Sequence, residues 1–298
     1  MRIASNTVSD QIVRQIQNLG VSQAKLQTQV GTGQRIAQLE DDPAAAGRVL
    51  NRQSDRRRVD QYILNASRAL QLSQASYSGI SGLKDISDRV TEIGTLGQSA
   101  QDPDALKAYG SELNQLIEQA VQIGNSKFGN DYIYAGTAVD TPPYTVARDA
   151  AGNVTSVTYA GNGSQAQIAL SETASVSPGT SGATNTGIRD FINQIVALRD
   201  ALNNNNSAGI TSAQTSLISS EDVLVSAISE TGAVQMRIDV NKAQQETLGT
   251  NLDSVISSDT STDMASTIVK LTQAQTSYQA ALQSSASIMR LSLLDYLK

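Results

Sequence analysis

The two ends of this 298-residue chain mirror each other. Across residues 5–30, Ile12, Leu19 and Leu26 recur at every seventh position, Ile16 and Val30 lie on the adjoining seam, and Gln23 interrupts with a polar group. That heptad spacing predicts a helix that packs along one stripe. Near the other end, Ile268, Leu282 and Met289 share one seam, while Met264, Leu271 and Tyr278 share the other. Both segments are poor in charge. Residues 1–34 carry only Arg2, Asp10, Arg14 and Lys25, and residues 259–298 carry only Asp259, Asp263, Lys270, Arg290, Asp295 and Lys298. A helix with one apolar stripe and few ion pairs gains its stability from a partner. Pairing the first helix with the last satisfies both stripes and makes the chain run out and return.

The interior fits that path. Gly31-Thr32-Gly33 ends the first helix, and Asp41-Asp42-Pro43 is a helix start. A carboxylate accepts the orphan amide protons, and Pro suits the first helical position, where its missing N–H costs nothing. A helix is expected from there to about 97, with Ile63, Leu70 and Tyr77 seven apart and a phase shift near Ile80. Asp102-Pro103-Asp104 repeats the start signal, for a third helix ending near Gly124. Past residue 129 the pattern turns to short strands at 144–146, 154–159 and 167–170, separated by turns and closed by the Gly/Ser/Thr-rich stretch 177–187. Helical spacing resumes at Ile188, pauses at 203–207, and continues to Ile256. Residues 257–262 break it, with Asp259 or Thr262 as caps for the last helix. The expected fold is mainly α: an elongated antiparallel helical bundle or coiled coil built from the N- and C-terminal segments, with a small central β-rich domain. The expected division is a terminal assembly domain (1–40 and 260–298), a helical rod (41–135 and 188–259) and an outer β-rich domain (136–187).

Composition removes most chemistry. With no Cys there is no disulfide or thiolate site, and with no His there is no imidazole base or ligand. Two Phe, nine Tyr and no Trp leave few of the rings that fill ordinary cores, which suits narrow helical pairing. The net charge of -6 argues against nucleic acid, whose phosphates need a basic patch. No run reaches the roughly 18 apolar residues of a membrane span, so no membrane insertion is expected. Neither is a cleaved signal peptide, since residues 1–7 lack an apolar core.

The candidate sites reduce to structural readings. Asp41 and Asp42 are a possible carboxylate pair, but capping explains both together with Pro43. Arg52, Arg56, Arg57 and Arg58 alternate with Asp55 and Asp60, which fits an ion-pair face better than a phosphate site. Asp149–Asn153 lacks the alternating spacing of a calcium loop and suffices as a hairpin turn. No catalytic residue, cofactor site or metal site is expected. The terminal stripes differ, because pairing two charge-poor helices leaves faces uncovered. The expected assembly interface is Ile12, Ile16, Leu19, Leu26, Val30, Met264, Ile268, Leu271, Tyr278, Leu282, Met289 and Leu294.

Three stretches carry a resemblance. They are Leu26–Val30 through Gly33-Gln34-Arg35-Ile36 to Asp41-Asp42-Pro43-Ala44-Ala45; Phe128-Gly129 with Tyr132-Ile133-Tyr134-Ala135-Gly136; and Thr272–Leu297, closing on Leu294-Asp295-Tyr296-Leu297. They resemble the bacterial flagellin family, and the Asp-Tyr-Leu close is similar to its hook–filament junction branch. Leu39-Glu40 departs from the family's frequent Pro-Ser, and the central insert is short and divergent. The resemblance implies a subunit exported unfolded through the flagellar type III channel to an extracellular position. It implies self-association in a helical ring, with hook-associated protein 1, flagellin and an export chaperone as partners. It also implies terminal segments that order on assembly. A minor flagellin, or a secreted adhesin or hydrolase with flagellin-like ends, are the alternatives.

Overall fold

The computed structural model describes the backbone of residues 2–100 and 102–296, and the side chains of residues 10–100 and 102–287. Among these are six helices and six short strands. The helices are α1 (Arg2–Thr32), α2 (Pro43–Ser99), α3 (Pro103–Gly124), α4 (Gly182–Asn203), α5 (Ser207–Thr260) and α6 (Met264–Tyr296). The chain separates into two units. One comprises residues 1–58 and 249–298, and the other residues 59–248.

In the second unit, buried side chains of α2 (Ile80, Leu83, Ile86, Val90, Ile93), α3 (Leu106, Leu113, Ile117), α4 (Ile188, Phe191, Ile192, Ile195) and α5 (Leu217, Leu224) make one core. The helices start where side chains cap them. The Asp102 carboxylate accepts from the Asp104 amide, with Pro103 next in line, and the Ser181 hydroxyl accepts from the Thr184 amide. The Ser181 cap starts α4 six residues ahead of the expected Ile188, inside the stretch expected to be loop. In the upper part of α2 the buried line is not Ile63, Leu70 and Tyr77. It runs through the small residues Ala66, Ala69, Ser73 and Ser76, which let neighbours approach closely, to Ile80, while Tyr77 is exposed.

Six strands form three antiparallel pairs: β1 (Lys127–Phe128) with β2 (Asp131–Tyr132), β3 (Tyr144–Arg148) with β4 (Val154–Tyr159), and β5 (Ile168–Ala169) with β6 (Ser175–Val176). The expected strands are present, joined by β1, β2 and β6. The β3–β4 hairpin opens on Tyr144 opposite Tyr159 and bulges at Ala147/Arg148. Its turn is closed by Asp149, which accepts from the Asn153 amide at 2.9 Å, and by Gly152 in the left-handed region at φ 89. This hairpin does not stand apart as an outer domain. Tyr144, Val154 and Val157 enter the helical core. Asn193 of α4 donates to the Val157 carbonyl and accepts its amide proton, at 2.9 and 2.8 Å. Arg199, 4 % exposed, donates to the Val154 carbonyl at 2.7 Å and to Asn114 of α3 at 2.8 Å. The segment expected as a separate third part therefore belongs to the second unit. Apolar area is scarce in so short a hairpin, and polar straps from α4 hold it down.

The Tyr-Ile-Tyr-Ala-Gly segment enters the same core. Tyr134 is fully buried and donates to the Ser76 carbonyl of α2 at 2.9 Å, and burial raises its pKa. Gly79, one turn further on, leaves space for that ring: a Cβ there would fall on the Tyr134 hydroxyl.

Candidate assembly interface

In the first unit α1 packs along α6. The half-buried residues of α1 are Ile12, Ile16, Leu19, Gly20, Gln23, Leu26, Gln29 and Val30, which keep the expected heptad line. Gln23, the expected interruption, sits on that line. On α6 the inward line is Thr267, Leu271, Ala274, Tyr278, Ala281 and Ser285, with Thr267 and Ser285 the most covered. Gly20 lies against the Tyr278 ring, 3.6 Å from where its Cβ would stand. The α6 side of the seam is thus made largely of small and hydroxylated residues, which give close approach, while α1 supplies most of the large apolar side chains.

This splits the expected interface in two. Ile12, Ile16, Leu19, Leu26, Val30, Leu271 and Tyr278 face the partner helix of the same chain. Ile268 and Leu282 do not, being 47 % and 44 % exposed, and Met264 is also exposed. Ile268 stands one residue, about 100°, round the helix from Thr267. With Val269 on α6 and Val13 and Val21 on α1, it forms part of an exposed apolar set. The side chains of Met289 and Leu294 lie outside the described residues.

The joint through which both helices enter the pair is built from polar groups. After α1, Gly33 takes a left-handed conformation at φ 69. Gln34 pairs with Ser261, the Arg35 amide donates to the Thr260 carbonyl at 2.7 Å, and the Thr262 amide donates to the Gly33 carbonyl at 3.0 Å. Asp42 caps α2 by accepting from the Ala45 amide at 3.0 Å, and it also pairs with Arg35. Those two bonds, the amide first, hold its carboxyl below the usual range. Asp41 is not a cap. It closes the turn before Asp42 by accepting from the Ala37 and Gln38 amides at 3.0 Å each, and it ties that turn to α1 through Lys25 at 2.7 Å. The Lys25 hydrogen bond, then the two amides, lower its pKa to about 2. Pro43 is the first residue of α2.

Three arginines at the start of α2 form ion pairs with α5 within the same unit. Arg48 and Arg52 reach the Asp259 carboxylate, and Arg56 reaches Asp253 at 3.0 Å. Asp259 therefore lies within α5 as an ion-pair partner rather than capping α6. The cap is Asp263, which accepts from the Ser266 amide at 3.2 Å. A separation of roughly two hundred residues hides these pairs from sequence reading. Asp263 was visible as an Asp directly before the last periodic helix, and Asp259 and Thr262 compete for the same signal.

Among the described residues, no group of three or more Asp or Glu converges in a way that could hold a metal ion, and no helix is long and apolar enough to cross a membrane. What the arrangement offers is shape: a capped, ion-paired joint and a helix pair with uncovered apolar flanks.

Residues 3–138, which hold α1, α2, α3 and the joint between the first two, match the bacterial flagellin N-terminal helical region. Over that stretch the chain is similar to the bacterial flagellin family. A relative is flagellar hook-associated protein 3 of Salmonella typhimurium, 27 % identical over 149 residues. That match covers 49 % of this chain and 47 % of the relative, so the chain spans about half the relative's length in it. The fold is similar to that of a putative flagellar hook-associated protein from Vibrio parahaemolyticus, with a TM-score of 0.67 at 16 % identity over 74 % of this chain and all of that one. It is also similar to FlgL of Bacillus cereus, with a TM-score of 0.60 at 16 % identity over 70 % of this chain and 99 % of that one.

Proposed function

We propose that the chain is a non-enzymatic structural subunit of the bacterial flagellum, exported to the cell exterior, that joins the hook to the filament. The observation that carries this reading is the pair α1/α6. It covers one stripe of each helix and leaves Ile268, Val269 and Leu282 exposed on a charge-poor surface. Covering a Leu or Ile side chain is worth about 1.5–3 kcal/mol, so a neighbouring subunit seated there would supply much of the assembly energy. Neighbours in a ring or helix meet head to tail, and such heterologous contacts also permit unlike partners above and below. Hook-associated protein 1 on the hook side and flagellin beyond are the partners this reading assigns, with an export chaperone holding the C-terminal segment beforehand. The match of residues 3–138 to the flagellin N-terminal helical region and the similarity to hook-associated proteins support it.

The test is electron microscopy of cells lacking the chain. Hooks without filaments are expected, and restoring a chain without residues 264–298 is expected not to rescue them. Normal filaments on such cells would overturn the reading. Self-propagating growth of purified chain on its own seeds would move it to a filament-forming flagellin.

A further inference from the structure

The seam between α1 and α6 is weak as helix pairs go. Its most covered α6 residues are Thr267 and Ser285, and Gln23 and Gln29 occupy the facing line. The apolar residues of the seam are only half-buried, so the two helices are marginal by themselves, and their pairing depends on what holds their near ends together. Tethering two segments at a fixed point raises the effective concentration of each for the other without any new contact along the pair.

The tether converges on one residue. Asp259 presents its carboxylate to Arg52 and, at 3.4 Å, to Arg48, one turn apart on α2. Its main-chain carbonyl accepts from the Arg35 guanidinium at 3.0 Å. Arg35 in turn donates its amide to Thr260 and its second guanidinium nitrogen to Asp42, and its carbonyl accepts from Gln29 of α1. One carboxylate of low exposure thus offsets two cations, and a third reaches the same residue's main chain. All the parties lie in the unit that contains α1 and α6.

We infer that Asp259 is the positioning residue of the terminal helix pair: its carboxylate holds Arg48 and Arg52 while its main-chain carbonyl receives Arg35, and fixing the residue in that joint sets α1 and α6 side by side for assembly. The inference rests on the assembly reading given above. Replacing Asp259 by Asn keeps the shape and leaves Arg48 and Arg52 as uncompensated neighbours, while Glu keeps the charge. Exposed ion pairs taken singly are worth little. The effect here comes from one carboxylate shared by two cations on the residue whose main chain also holds Arg35, so that the contacts of the joint are coupled.

The experiment uses the purified full chain and hooks isolated from cells lacking it. Asp259→Asn is expected to raise the apparent Kd for hook ends at least tenfold and to speed amide exchange at Arg35 and Thr262 at least tenfold. Core amides of residues 59–248 are expected to stay unchanged. Asp259→Glu is expected to remain within about threefold of the parent on both readouts, and Asp259→Asn with Arg48→Gln and Arg52→Gln to be no worse than Asp259→Asn alone. Parent-like exchange and binding in Asp259→Asn, or equal loss in Asp259→Glu, overturns the inference. A chain lacking residues 264–298 is measured alongside. If it loses binding while Asp259→Asn keeps it, only the positioning role fails; if it binds like the parent, the assembly reading itself fails.

Discussion

Glycine 79 sits in the middle of a 57-residue helix, where alanine would ordinarily be preferred by about 0.5–1 kcal/mol. The Tyr134 hydroxyl occupies the space of its missing Cβ, and overpacking costs about 1–3 kcal/mol, so the clash outweighs the propensity. Gly79→Ala is expected to lower the urea midpoint, and Gly79→Ala with Tyr134→Phe to recover part of the loss. Arg199 is a second such position. Truncation to Ala removes charged hydrogen bonds to the Val154 carbonyl and Asn114, and about 2–4 kcal/mol of stability should go with them, read from denaturant unfolding. Asp41 gives a pH signature. Its pKa falls from 3.8 to about 2 on folding, so its contribution is complete above pH 4 and fades as pH drops toward 2. Thermal melts should show Asp41→Asn less stable than the parent at pH 7 and equal to it near pH 2. The roles of Gly79 and Arg199 are not marked in the sequence, because each depends on a partner distant along the chain.

At the scale of elements, the helices were legible and their inner faces only in part. Pro43, Pro103 and Gly33 punctuate the chain, and the observed helices start or stop within two residues of them. The α1 stripe reads correctly because its apolar residues are widely spaced among polar ones. The α6 stripe reads ambiguously because Ile268, Leu271, Tyr278 and Leu282 span a broad apolar arc, and hydropathy alone does not say which edge turns inward. Thr267, Ala274, Ala281 and Ser285 decide it by their small size, a property that apolar periodicity overlooks. The arrangement predicts a separation of effects. Leu271→Ser should loosen the helix pair itself, whereas Ile268→Ser with Leu282→Ser should leave the single chain's helicity unchanged and reduce incorporation at the hook end. Circular dichroism together with filament counts distinguishes the two.

On the scale of the whole molecule, the unit of residues 59–248 is continuous in sequence and holds both buried apolar clusters. It should resist limited proteolysis as a single fragment. The other unit is assembled from the two extremities of the chain, residues 1–58 and 249–298. α1 is synthesised before the whole of the second unit, and its partner α6 after it. Closing a loop of that length carries a large entropy cost, so the pairing should be the slow step of folding. A ribosome that stops early, or a protease that removes the tail, yields a product in which the second unit can still fold but the first cannot be completed. The fold thus contains its own check on synthesis: only a chain made through α6 has both halves of the surface that would join it to its neighbours.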